Sequence, residues 1–184
     1  MADKARHATT PVELTDFVRR SAAKLSDQPL VYVPYEERAG ARQSSCFSNV
    51  QTAVAEDGGS AVHGWMLWEL PGAFIEAEHH ALWLKPDGSL VDITPKADGE
   101  QVILFVEDAA AAYTGKYIDQ KRFPAFGNRL ARDFIKVQSE MERLVQPYRR
   151  VGTYQVPPSV EQAAMRKRAR AMKLLARLER GETN

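Results

Sequence analysis

The 184-residue sequence predicts an α+β fold, with one mostly antiparallel sheet of four to five strands flanked by helices. Three observations predict it. Apolar residues recur at helical spacing toward both ends of the chain, along 14–25 and again along 130–144. Between them, 60–106 reads as four successive strands, two of which are joined by the turn Pro86-Asp87-Gly88-Ser89 into an antiparallel hairpin. A hydrophobic fraction of 44% is enough to build a core and argues against wholesale disorder.

Residues 1–9 read as a flexible N-terminal tail. Thr10-Pro11-Val12-Glu13 is a helix start, with Thr10 as N-cap, Pro11 in the first helical position and Glu13 closing a capping box. Leu14, Phe17, Val18, Ala22 and Leu25 then share one stripe, so the helix should run to about Leu25. Pro29 stops it, and 30–33 reads as a short strand. The segment 34–44 has charge, Gly40 and no periodicity, and is a loop. Ser44 or Ser45 then caps a helix in which Cys46 sits in the first turn, Val50, Ala53 and Val54 face inward, and Asp57-Gly58-Gly59 makes the end.

The four strands follow at 61–68, 73–84, 89–93 and 101–106. The last is nearly all apolar, as a central or doubly covered strand would be. Residues 108–126 show no regular pattern beyond a helical turn at 109–112. Asn128 caps a helix whose stripe is Leu130, Phe134, Val137, Met141 and Leu144, and Pro147 closes it. Residues 10–147 therefore make up one α+β domain, with 148–184 as a linker and a C-terminal helix. Ser159-Val160-Glu161-Gln162 is a second capping-box signature, and the helix it starts should reach Arg180 and stop at Gly181. Its apolar stripe is thin: Ala164, Met172, Leu175 and Leu178. Arg166, Lys167, Arg168, Arg170, Lys173, Arg177 and Arg180 surround that stripe.

Lys and Arg number 25 against 24 Asp and Glu, so the chain as a whole does not read as a nucleic-acid binder. The basic C-terminal helix reads first as a solvated face. As a binding surface it would suit an acidic partner or nucleic acid through phosphate contacts, since 159–180 holds no aromatic for base stacking. A single cysteine excludes an internal disulfide and a multi-cysteine zinc site, and points to a reducing, cytoplasmic setting. No apolar run approaches the roughly 20 residues of a membrane span, and the N-terminus has no signal-peptide pattern. No cofactor is expected.

The chemistry concentrates in 44–95. A thiol becomes a strong nucleophile as the thiolate, which a helix N-terminus and a neighbouring imidazolium both favour. The imidazole in turn needs a carboxylate or amide to orient it. Cys46, His80 and Asp92 meet these requirements in order, with His80 and Asp92 on the two strands of the hairpin. Strand parity puts His80 with Leu82 on one face and His79 with Ala81 and Trp83 on the other. It favours His80 and leaves His79 as the alternative near the cleft. The backbone N–H of Cys46 and the side chain of Gln43 are candidate oxyanion donors. Asn49, one helical turn beyond Cys46, is either a cleft residue or an exposed helix residue. Trp65, Trp68 and Trp83 are core residues or the wall of a cleft, and His63 is a spare polar group on the first strand of the central stretch.

Ser45-Cys46-Phe47, His80-Ala81-Leu82-Trp83 and Asp92-Ile93-Thr94-Pro95 together resemble, in kind and order, the core of the transglutaminase-like branch of the papain-like cysteine enzymes. The resemblance covers about 44–106. It departs from the family in having three residues from His80 to Trp83, no Trp before Asp92, and a compact stretch between thiol and imidazole. It implies a Cys46 nucleophile, a His80 base and an orienting Asp92, working through a thioester on a protein or peptide-like substrate. The product would be that of a hydrolase or of an acyl transferase.

Plainer readings exist for each group. A lone buried cysteine is ordinarily an inert small hydrophobe, a strand histidine can simply be hydrogen-bonded, and Asp92 can cap a turn. Glu76, Glu78, His79, His80 and Asp92 could also supply metal ligands. Adjacent strand histidines point apart, however, and the helical His-x-x-x-His spacing is missing. The alternative from a different class is a non-catalytic module that binds a protein or nucleic acid through a Trp-lined cleft and the basic helix.

Overall fold

The protein is described from a computed structural model, which covers residues 7–116, 118–148 and 156–184. The architecture is α+β, with a six-stranded, mostly antiparallel sheet and four α-helices among the described residues. The chain divides into two compact units, grouped differently from the sequence-drawn ranges 10–147 and 148–184. One comprises Thr10–Trp68 and Glu76–Lys121, and the other Met1–Thr9, Glu69–Ile75 and Arg122–Asn184.

Strands β1 (Leu30–Pro34), β2 (Ser60–Leu70), β3 (Phe74–Leu84), β4 (Leu90–Val91) and β5 (Val102–Glu107) run in the order β1-β5-β2-β3-β4 and, apart from 69–70 of β2 and 74–75 of β3, belong to the first unit. Antiparallel register pairs Val33 with Ile103, Met66 with Phe105 and Trp83 with Val91. Gly64 lies where β2 passes β5 so closely that any side chain would run into the Val106 carbonyl and the Phe105 ring. The two outer strands come back together at one residue. Asp92 N–H donates to the Pro34 carbonyl at 3.0 Å, and Glu36 N–H donates to the Asp92 carbonyl at 2.8 Å. The sheet thus curls into a nearly closed ring with Asp92 at the seam. This is why β4 keeps only two residues of the expected 89–93: the chain leaves the hairpin at Asp92 to pair with the end of β1.

Alternation along the strands separates two clusters. Val33, Met66, Leu82, Ile103 and Phe105 pack together on one face. On the other, Ala81, Trp83, Val91 and Ile93 pack under helix α2 (Cys46–Asp57), which contributes Cys46, Phe47, Val50 and Ala53. The sequence places α2 correctly at both ends, and Gly58 with φ 77° stops it. Ser45 occupies the cap position without a side-chain capping bond, and Ser44 has φ 55°, the sole left-handed non-glycine among the described residues.

Helix α1 (Asp16–Ala22) begins later than the capping-box pattern suggests. Thr10 is engaged elsewhere, its N–H donating to Glu100 at 2.8 Å, so Thr15 caps the helix instead by accepting from Val18 N–H. The expected tail at 1–9 is only partly testable, because 1–6 lie outside the described residues. Thr9 is not loose: it forms a two-way backbone bridge with Glu69.

The second unit is helical. Helix α3 (Arg129–Val145) starts at Asn128, whose Oδ1 accepts from Ala131 N–H at 2.8 Å while its Nδ2 donates to the Gly72 carbonyl. Leu130, Phe134 and Val137 meet Ala171 and Leu178 of helix α4 (Pro158–Glu179), with Leu70 and Phe74 completing the cluster. The basic helix packs through Ala171, Leu174, Leu175 and Leu178, while Met172, which its spacing put on the apolar stripe, is 58% exposed. Pro157 and Pro158 open it in place of a Ser159 capping box. Most of the expected linker, 149–155, lies outside the described residues. Strand β6 (Lys121–Pro124) pairs with β3 in the segment that showed no sequence pattern. No described helix is long and apolar enough to cross a membrane.

Candidate active site

The site begins at the first residue of α2. Phe47, Val50 and Ala53 seat the helix on the sheet, and this brings Cys46, 7% exposed, to the middle of β3, where the two histidines lie. His80 is 2% exposed and Asp92 fully buried. His80 Nε2–H donates to Asp92 Oδ2 at 3.1 Å. Burial by itself lowers the His80 pKa. The Asp92 carboxylate, the hydrogen bond to it and the neighbouring Cys46 side chain outweigh that cost and raise it to about 10. Cys46 thus lies beside the ring whose Nε2 is already committed to Asp92.

Asp92 has its own supports. Thr94 N–H donates to its Oδ1 at 2.8 Å, an Asx turn that follows from the Asp-x-Thr sequence. The chain then doubles back through Pro95, and the Lys96 ammonium donates to Asp92 Oδ2 and to the Thr94 carbonyl, the latter at 2.7 Å. The Lys96 side chain is only 7% exposed. Burial alone would raise the Asp92 pKa, but the two cations at His80 and Lys96 hold it below the ordinary carboxylate value. Sequence reasoning missed Lys96. The signal was present, since a turn of the form Asp-Ile-Thr-Pro-Lys returns its fifth residue toward its first.

The structure separates the two histidines by role. His79 Nε2–H donates to the Ala111 carbonyl at 2.6 Å, and its Nδ1 accepts from Ile118 N–H at 3.3 Å. Both nitrogens are held by backbone, and burial keeps its pKa below the ordinary value. Its ring packs on Phe47 and Trp65. His79 therefore belongs to the support of α2. His63 stacks on Phe47 at 5.9 Å.

The remaining candidates are redistributed. Asn49 is buried, which removes the exposed-helix alternative. Its Oδ1 accepts from Arg42 N–H at 3.0 Å, and its Nδ2 donates to the Arg42 carbonyl and to Thr94 Oγ1, so it pins the loop ahead of Cys46 to the turn after Asp92. Gln43 is exposed, and its backbone carbonyl accepts from Ser45 Oγ. Trp65 is core, 1% exposed, with its Nε1–H on Asp108 and Lys121 over its ring. Trp83 donates to the Gly58 carbonyl and carries Arg38 and Lys85 against its ring. A shallow groove beside α2 is lined by Arg38, Gly40, Ala41, Asn49, Thr52 and Glu56. Among the described residues no group of three or more His, Cys, Asp or Glu side chains is placed to hold a metal ion.

Compared with known proteins, the chain matches no family model, no curated protein and no solved structure.

Proposed function

We propose that this protein is a thiol-dependent acyl-transfer enzyme of the transglutaminase-like, papain-like kind, acting on amide or related acyl groups of a protein or peptide-like substrate. The observation that carries this reading is that the buried imidazole hydrogen-bonded to Asp92 has the only thiol of the chain, Cys46, beside it. Before acylation the Cys46 proton already rests on His80, whose raised pKa keeps the ring an imidazolium, and the thiolate sulfur attacks the carbonyl carbon. The carbon–nitrogen bond then breaks, and the leaving amine takes that proton from His80. In the second step water or an amine attacks the thioester, gives its proton to His80, and the sulfur leaves as the thiolate. Asp92 orients the ring and balances its charge without itself gaining a proton. Cys46 N–H, in the first position of α2 where no intrahelical acceptor exists, is placed to meet the oxyanion.

The test is labelling of the full chain with iodoacetamide and with p-nitrophenyl acetate, read by mass spectrometry at Cys46. Labelling should be confined to Cys46, with acetylation accompanied by a burst of p-nitrophenolate. His80→Ala should slow both by about 10²–10⁴-fold, the usual weight of a positioned base. Equal rates in wild type and His80→Ala would sink the proposal.

A second reading, a binding module, draws on α4. There Arg166, Arg168, Arg170 and Lys173 are exposed beside Met165 and Met172, which are 64% and 58% exposed. It gains if Cys46→Ser leaves the protein's biological activity intact.

A further inference from the structure

Lys96 stands out because a lysine is seldom this buried without a purpose, and because it grips the same atom that His80 uses. Its Nζ and His80 Nε2 both donate to Asp92 Oδ2, while Thr94 N–H takes Oδ1. The ammonium is further held by the Thr94 carbonyl and sits 5.9 Å from the Tyr35 ring centroid. We propose that Lys96 is a positioning residue of the Cys46–His80–Asp92 site: by sharing Asp92 Oδ2 it fixes the carboxylate plane and limits how strongly Asp92 holds the His80 proton. This rests on the enzyme reading above and adds to it a control over proton return.

The physical argument is competition. Each donor to one carboxylate oxygen draws on the same charge, so a second cation weakens the first hydrogen bond. An imidazole bound to an unshared buried carboxylate is a poor acid, and the acylation step needs it to give its proton up to the leaving group. The groups facing His80 are Cys46 from α2, His79 on its own strand, and Asp92 with Lys96 after β4. Tyr35, after β1, faces both Asp92 and Lys96, and Glu37 in turn lies near Tyr35. Of these, Lys96 is the cation on Asp92 that the proposed chemistry leaves unused.

The experiment uses the full chain with ring-¹⁵N-labelled histidine. In Lys96→Met the His80 Nε2–H resonance at neutral pH should move downfield as the bond to Asp92 tightens. The alkaline limb of the Cys46 labelling profile should move up by about 1 pH unit or more, as expected on removing a like charge. Lys96→Gln, which keeps a donor but no charge, should shift both in the same direction by less, and Lys96→Arg should restore wild-type values. A lowered melting temperature with an unmoved resonance and profile in Met and Gln variants would overturn the inference, leaving Lys96 a structural ion. If His80→Ala labels as fast as wild type, the enzyme reading fails on its own, and the Nε2–H resonance still decides the role of Lys96.

Discussion

Each of the two compact units buries an ion pair, and the two pairs differ in kind. In the helical unit Arg122 meets Glu142 at 2.7 Å, with side chains 5% and 14% exposed. In the strand unit one carboxylate, Asp92, faces two cations, His80 and Lys96, next to a thiol. A buried pair of opposite charges can be exchanged for apolar side chains of similar volume with little loss. The second arrangement carries surplus positive charge in a buried place, the charge that a thiolate or an oxyanion would offset. Such an assembly is not what folding alone favours, and it is what the proposed chemistry calls for.

This contrast can be broken by matched substitutions. The largest effect should come from Asp92→Ala, which strands two buried cations and also removes the side-chain half of the seam; a loss of about 3–5 kcal/mol in urea unfolding is expected. The paired change Arg122→Met with Glu142→Leu should be neutral or stabilising by the same measurement. Equal costs would erase the distinction.

The second test is pH. The His80 pKa is raised, so its contribution to stability is complete below about 6.5, its unfolded value, and is lost as pH rises through about 10. The Asp92 pKa is lowered, so its contribution is complete above about 3.9 and is lost as pH falls through the native value. Melting temperature should therefore decline on the alkaline side in wild type and much less in His80→Gln. Identical alkaline limbs would show that the ring is not held as a cation.

Smaller effects separate the two histidines and the surface. His79→Leu frees the buried Ala111 carbonyl and should cost about 1–3 kcal/mol, while leaving Cys46 labelling within a few-fold of wild type. A collapse of labelling in that variant would move His79 into the chemistry. Least of all, Lys167→Ala breaks a half-exposed pair with Glu140 and should leave the unfolding midpoint within measurement error.

Much of this was readable in residues. The Ser45-Cys46 start, the Gly58 stop and the Pro86–Ser89 turn are local events, and local chemistry reports them. Thr10 and Ser159 carried equally good capping patterns and misled, because Glu100 claims Thr10 and two prolines set the start of α4. Asn49 was noticed for its spacing from Cys46, yet its partners come from 42 and 94, which no helical period can indicate.

The sequence by itself determined most of the elements, though not β6, and determined that a thiol, an imidazole and a carboxylate follow one another on a helix, a strand and the residue just after the next strand. Alternation of side chains also settled that His79 and His80 point apart. Only the tertiary structure decided which of them serves Asp92, because parity relates neighbours on a strand but does not say where the sheet closes. That closure occurs at Asp92 itself, whose backbone joins β1 while its side chain gathers His80 and Lys96. Long-range backbone pairing of this sort leaves no periodic trace in the chain.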